Sequence, residues 1–186
     1  MVKTYKKKNA AYGSKKAKFY KSVANYHSAK LSFATGIQYV GNTATFAINS
    51  STNFIIGDGL GNCDDWNKYR QLFMSYKLRG ILIEVVPHPA PVSPSFVGDA
   101  VVIGTLTSDD TVSFKSVVEG NYSSILSFAL PTRKYMPVKG GSTGWLSTNN
   151  LTDQPGKIAV AANGSVQQGN AFYWTARFTF YVLFIQ

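Results

Sequence analysis

Nine lysines stand in the first thirty residues of the chain, Lys3, Lys6, Lys7, Lys8, Lys15, Lys16, Lys18, Lys21 and Lys30, and the first acid is Asp58. Cations at this density, with no counter-charge, can condense on a polyanion and release its counterions, an attraction that weakens steeply with salt. Between the lysines lie Tyr5, Tyr12, Phe19, Tyr20 and Tyr26. Such rings stack on exposed bases at roughly 1 to 3 kcal/mol each, so the combination suits single-stranded nucleic acid. Lysine is a hydrated point charge without the bidentate fork of arginine, and the first arginine is Arg70. Binding through this segment is therefore expected to follow the backbone diffusely, without sequence readout. The clusters Lys6 to Lys8 and Lys15, Lys16, Lys18 also match a nuclear import signal, a pattern that short basic runs meet by chance as well.

No comparable constellation supports catalysis. The two histidines are His27, beside the basic segment, and His88, between two prolines. Neither stands in a motif that pairs a base with a nucleophile. Cys63, the single cysteine, reads as a small loop residue before a helix. Gly57-Asp-Gly-Leu-Gly61 lacks the Gly-Lys-Ser/Thr ending of a phosphate loop and reads as a flexible turn. Asp58, Asp64 and Asp65 match no calcium-loop spacing, and Asp64 is better used as a helix cap. Asp109-Asp110 reads as a turn or cap. The expectation is a protein that is not an enzyme and has no cofactor and no metal.

The net charge of +10 is confined to the start of the chain: residues 31 to 186 hold 10 bases against 9 acids, 10 − 9 = +1. A chain of 186 residues, 45% hydrophobic, can bury one sizeable core. The division expected is a basic arm, residues 1 to 28, and one folded domain, residues 29 to 186. The arm contains few aliphatic side chains and cannot offset its chain entropy by itself. One cysteine permits no internal disulfide and fits a reducing compartment. The N-terminal stretch lacks the apolar core of a signal peptide, and no run reaches the ~18 apolar residues of a membrane span, so membrane insertion is not expected. Four Asn-x-Ser/Thr matches, at Asn49, Asn121, Asn150 and Asn163, are then chance.

From Leu31 onward, β-branched and aromatic runs alternate with polar residues and are separated by Gly, Asn, Ser, Asp and Pro, which predicts an all-β domain. Strands are predicted near 29–40, 43–49, 77–87, 99–107, 123–135, 143–148, 157–162 and 171–185. In the last of these, Phe172, Trp174, Ala176, Phe178, Phe180, Val182 and Phe184 share one face, while Tyr173, Thr175, Arg177, Thr179 and Tyr181 share the other. Spacings of three and four place Trp66, Tyr69, Leu72, Phe73 and Tyr76 on one side of a helix over 65–75. Four of the seven prolines, Pro87, Pro89, Pro91 and Pro94, form a stiff extended stretch.

The order of a basic arm, two strands, a short helix, a strand opening Tyr-Lys-Leu-Arg and further strands to a β C-terminus resembles the single jelly-roll coat proteins of small non-enveloped viruses. In size and style the likeness is to the circovirus-like group with circular single-stranded DNA. The residues that carry it run from Trp66 to Pro87: a helix ending in Tyr69-Arg70, Phe73 and Tyr76-Lys77 leads directly into a strand, followed by proline. Arms of that group are dominated by arginine, and the nine lysines here depart from them. The resemblance implies an eight-stranded jelly-roll β-sandwich that closes with its copies into an icosahedral shell of about 60 subunits. It implies single-stranded DNA as cargo, residence in the virion and the host nucleus, and a host receptor and import machinery as further partners. At ~60 copies the arms bring on the order of 540 positive charges, against one negative charge per nucleotide. It also places the Pro87–Pro94 loop and the turn at Gly164 and Gln167 where subunits pack around a symmetry axis. A cellular nucleic-acid-binding β-sandwich with a basic tail is the alternative, and it predicts a basic face on the folded body.

Overall fold

The computed structural model describes residues 25–89, 100–107, 110–138, 144–151, 156–165 and 171–186. Two antiparallel sheets face each other. The first has the order β2 (Thr43–Phe46), β1 (Tyr26–Val40), β10 (Ala171–Ile185), β4 (Ser75–Pro87) and β7 (Thr132–Pro137), with β8 (Leu146–Ser147) also paired to β4. The second has the order β3 (Asn53–Ile55), β9 (Lys157–Asn163), β5 (Ala100–Leu106) and β6 (Ser124–Leu126). Eight strands, four per sheet, make the jelly roll, and the short β2 and β8 extend one of its sheets.

The alternation of β10 is realised as its sequence demands. Phe172, Trp174, Ala176, Phe178, Phe180, Val182 and Phe184 are all buried, and Tyr173, Thr175 and Arg177 are exposed. β10 lies between β1 and β4, paired with β1 over fifteen positions from Tyr26↔Ile185 to Val40↔Ala171. The core between the sheets is an aromatic stack: Phe33 lies against Phe178 at 5.2 Å, and Phe54 from the facing sheet meets Phe178 edge-on at 5.2 Å. Edge-to-face pairs of this kind add to the area they bury. At one end of the core the Trp174 indole donates to the Ser127 carbonyl at 2.8 Å.

Several expectations are corrected. Gly57 to Gly61 is not a flexible turn: with Ile56 it forms α1 (Ile56–Gly61). Its glycines are there for close approach, since a Cβ on Gly57 would lie 1.8 Å from the Leu151 carbonyl oxygen and one on Gly59 would lie 2.9 Å from the Phe180 ring. The second helix, α2 (Trp66–Leu72), is shorter than predicted. Trp66 is buried and Tyr69 and Phe73 pack on the core, but Leu72 is 64% exposed. At about 100° per residue, Leu72 falls at the edge of the stripe that Trp66, Tyr69 and Phe73 share, and Tyr76 already belongs to β4. Asp64 does not cap α2. The N-cap position is Asp65, which makes no side-chain cap bond and instead accepts from Lys68 at 2.6 Å.

The single strand predicted over 123–135 is two, β6 and β7, separated by a turn in which the Ser127 hydroxyl accepts from the Ala129 and Leu130 N–H groups at 3.2 and 2.9 Å. A third helix, α3 (Phe114–Glu119), lies in a stretch without a helical period and is held by a capping box in which Ser113 and Ser116 each accept from the other's N–H. Within β4 a bulge opposite Tyr181 and Val182 leaves Arg79 outside the pairing.

Candidate nucleic-acid and subunit interfaces

β1 follows the lysine-rich segment and begins at Tyr26, before the start predicted at residue 29. Lys3, Lys6, Lys7, Lys8, Lys15, Lys16, Lys18 and Lys21, with Tyr5, Tyr12, Phe19 and Tyr20, lie outside the described residues. Lys30 is in β1, exposed, with its Nζ 5.5 Å from the centre of the Tyr181 ring on β10, a cation–π contact. Tyr26 stacks on Trp145 at 5.7 Å with both rings largely exposed.

The strand ends from which the two loops expected at a symmetry axis leave lie at one end of the sandwich. Pro87 ends β4 opposite Trp174, and Gly164 follows Asn163, which ends β9 opposite Ala100. Gly164 has φ 113, a left-handed conformation that costs glycine little and makes a sharp exit from the strand. Pro89 borders the same loop, while Pro91, Pro94 and Gln167 lie outside the described residues. Strands of the two sheets thus end together where both loops begin.

The groups that could have done acid–base or nucleophilic chemistry are engaged separately. Cys63 is buried, its thiol donates to the Gly59 carbonyl at 3.4 Å, and burial reinforced by Asp64 and Asp65 pushes its pKa up to about 12. That thiol stays protonated at neutral pH. His27 packs against the rings of Tyr69 and Phe73, each at 5.5 Å, and His88 bonds the Thr175 hydroxyl at 2.7 Å through Nε2. Asp110 accepts from the Thr107 N–H at 2.9 Å, and hydrogen bonding from the Thr107 side chain and then its backbone, with Lys157 nearby, holds its carboxyl below the usual range. Asp109 lies outside the described residues. Among the described residues no group of three or more His, Cys, Asp or Glu is placed to hold a metal ion, and no helix is long and apolar enough to cross a membrane.

What the sequence did not disclose is where the body's own charges fall. The strands of the first sheet carry six bases, Lys30, Lys77, Arg79, Arg133, Lys134 and Arg177, and one acid, Glu84. The strands of the second sheet carry Lys157 and no acid. The described acids other than Glu84 lie in or beside the helices: Asp58, Asp64 and Asp65 at α1 and α2, Asp110 and Glu119 at α3. A body near neutrality in sum is divided in space, and one of its sheets is basic. The visible hint in the sequence is the outward-facing row Tyr173, Arg177, Tyr181 on β10.

No protein-family model matches the chain, and no curated protein matches it by sequence. Its fold does match solved structures of viral shells. A semi-empty virus-like particle of the giant freshwater prawn Macrobrachium rosenbergii nodavirus is similar over 100% of this chain and 95% of its own, at 12% identity and a TM-score of 0.62. Cocksfoot mottle virus is similar over 100% and 96%, at 13% identity and a TM-score of 0.59. The decameric BFDV capsid protein is similar over 87% and 100%, at 12% identity and a TM-score of 0.52. The fold is thus the jelly roll of viral capsid proteins. The likeness is not particular to the circovirus-like group, since the nodavirus and Cocksfoot mottle virus shells match at higher TM-scores than the BFDV capsid protein.

Proposed function

We propose that the chain is the coat protein of a small non-enveloped virus, which closes with its copies into an icosahedral shell and packages single-stranded nucleic acid through its lysine-rich arm. The observation that carries this reading is a jelly roll that follows viral shell subunits over nearly their whole length, with eight lysines before its first strand, a ninth within it and no acid before Asp58. The assembly is the function: a heterologous contact repeated with a closing rotation makes a shell, and no catalytic group is required. The loops at Pro87 and Gly164 would meet their copies about an axis, with Pro89, Pro91, Pro94 and Gln167 in the same two loops. The arm residues Lys3 to Lys21, with their interleaved rings, would hold the cargo. Single-stranded DNA and passage through the host nucleus follow from the circovirus-like pattern of residues 66 to 87.

The cellular nucleic-acid binder remains a second reading because the folded body does present a basic sheet. Particle formation separates the two. Purified protein should scatter light as uniform spheres of about 60 subunits or a small multiple, containing nucleic acid that nuclease cannot reach. A stable monomer at every salt concentration would overturn the coat reading.

A further inference from the structure

The two sheets differ in what covers their outer faces. On the second, α3 lies across β5 and β9, with Val117 packed against Val102, Ala159 and Ala161. On the first, among the described residues, no helix lies across β1, β10, β4 and β7. The pairing registers show which side chains share that open face. Lys30, Tyr181 and Gly80 stand in one row across β1, β10 and β4, and Ala34, Arg177, Glu84 and Arg133 in another that reaches β7. By the same alternation Lys77, Tyr173 and Tyr135 point to this side.

Four bases, Lys30, Lys77, Arg133 and Arg177, face one acid, giving 4 − 1 = +3 for the face. The acid is occupied, since Glu84 forms an ion pair with Arg133 at 3.3 Å. No carboxylate of the described residues lies within salt-bridge distance of Arg177. The aromatic groups share the face with these charges. Tyr135 lies over Gly80, where a Cβ would come 2.2 Å from its hydroxyl, and meets Tyr181 edge-on at 5.7 Å. Tyr173 is 51% exposed at the other end of β10, eight residues from Tyr181, or roughly 27 Å along the strand. The residues of β1 beside them, Ser32, Ala34 and Gly36, are small and leave the surface open.

We infer that this open face is a second binding surface for single-stranded nucleic acid, on which Arg177, Lys30 and Lys77 meet phosphates while Tyr173 and Tyr181 stack on bases. The inference rests on the packaging function proposed above and extends it from the arm to the folded body. A strand leaving the arm reaches the face without a break, because Lys30 lies only five residues beyond the start of the described chain at Asn25. Tyrosines alternating with cations on a sheet are a sequence-tolerant platform, with the bases stacked and the backbone tracked.

The test uses the full chain and a thymidine homo-oligonucleotide. The paired change Arg177→Gln with Lys77→Gln should lower the slope of log affinity against log salt by about 1.4, at ~0.7 for each phosphate contact on a single strand. Arg177→Lys should restore its share of the slope, and Tyr173→Ser should weaken binding roughly tenfold. Ultraviolet cross-links from packaged nucleic acid should map to residues 171–185 as well as to the arm. An unchanged slope, with cross-links confined to the arm, would overturn the proposal and leave the arm's role standing. Variants that alter particle assembly but not affinity would overturn it too, assigning the face to a second copy of the chain. Failure of the unaltered protein to bind the oligonucleotide at all would overturn the packaging function along with it.

Discussion

The two sheets of this sandwich are built from the same kind of alternating strand and end up with different outer faces. The second sheet presents small apolar side chains, Val102, Ala159 and Ala161, and α3 covers them with Val117. The first presents tyrosines, threonines and bases on a surface left open among the described residues. The inner faces are alike, both aromatic or aliphatic and both buried. Burial between the sheets therefore holds the fold together, and the outer faces are free to diverge, one for local packing and one for a partner. Strand alternation permits this because successive residues belong to different faces and can change independently.

The comparison is tested first at what the sheets share. Phe178→Ala should cost about 3 to 5 kcal/mol in urea unfolding, because the ring touches Phe33 on its own sheet and Phe54 on the other. Loss of signal from both sheets at one midpoint is expected, and separate transitions would show that the sheets are independent. The outer faces should then respond differently to one methyl group. Gly104→Ala on β5 should cost about 1 to 3 kcal/mol, since its Cβ would press on the backbone and side chain of Val117 at 3.2 Å. Gly80→Ala on β4 would press first on the hydroxyl end of Tyr135, a side chain 47% exposed that can turn outward, and should change stability by no more than about 0.5 kcal/mol. Equal costs would mean that the first sheet is as firmly covered as the second.

Smaller again is the cap that holds the cover in place. Ser113→Ala should cost about 1 kcal/mol and be seen most clearly as faster amide exchange in α3, with β10 unaffected. Last comes the joint between the sheets, where Cys63 lies buried after α1. With its pKa raised from 9.0 to about 12, the thiol adds stability that is complete below pH 9 and is lost as pH rises toward 12. At neutral pH, labelling of Cys63 by a thiol reagent should therefore proceed only as fast as the protein opens.

The shared layer was the legible one. Seven inward residues of β10 could be named from alternation alone, because a half-buried strand writes its period of two into the chain. The turn at Ser127 could not, since Phe128, Ala129 and Leu130 continue the apolar run while a serine hydroxyl supplies the bonds that end β6. α1 was hidden by its own glycines, which tertiary contacts with Leu151 and Phe180 require and helix propensity disfavours. α3 is one and a half turns long, too short to show a helical period. The run of lysines is plain in the sequence. The basic sheet was not, because Arg177, Glu84 and Arg133 become neighbours only through pairing of strands distant in sequence. A sum of charges near zero says nothing about their placement.

Since β1 begins at Tyr26, residues 1–24 can be removed without cutting into the sheet. The most direct test of the proposed coat function is the nucleic-acid content of nuclease-treated particles formed by the full chain and by the chain lacking those residues. Shells of equal size that have lost most of their cargo are the predicted result. Truncated shells with an undiminished load, or a full chain that forms no particles, would contradict it.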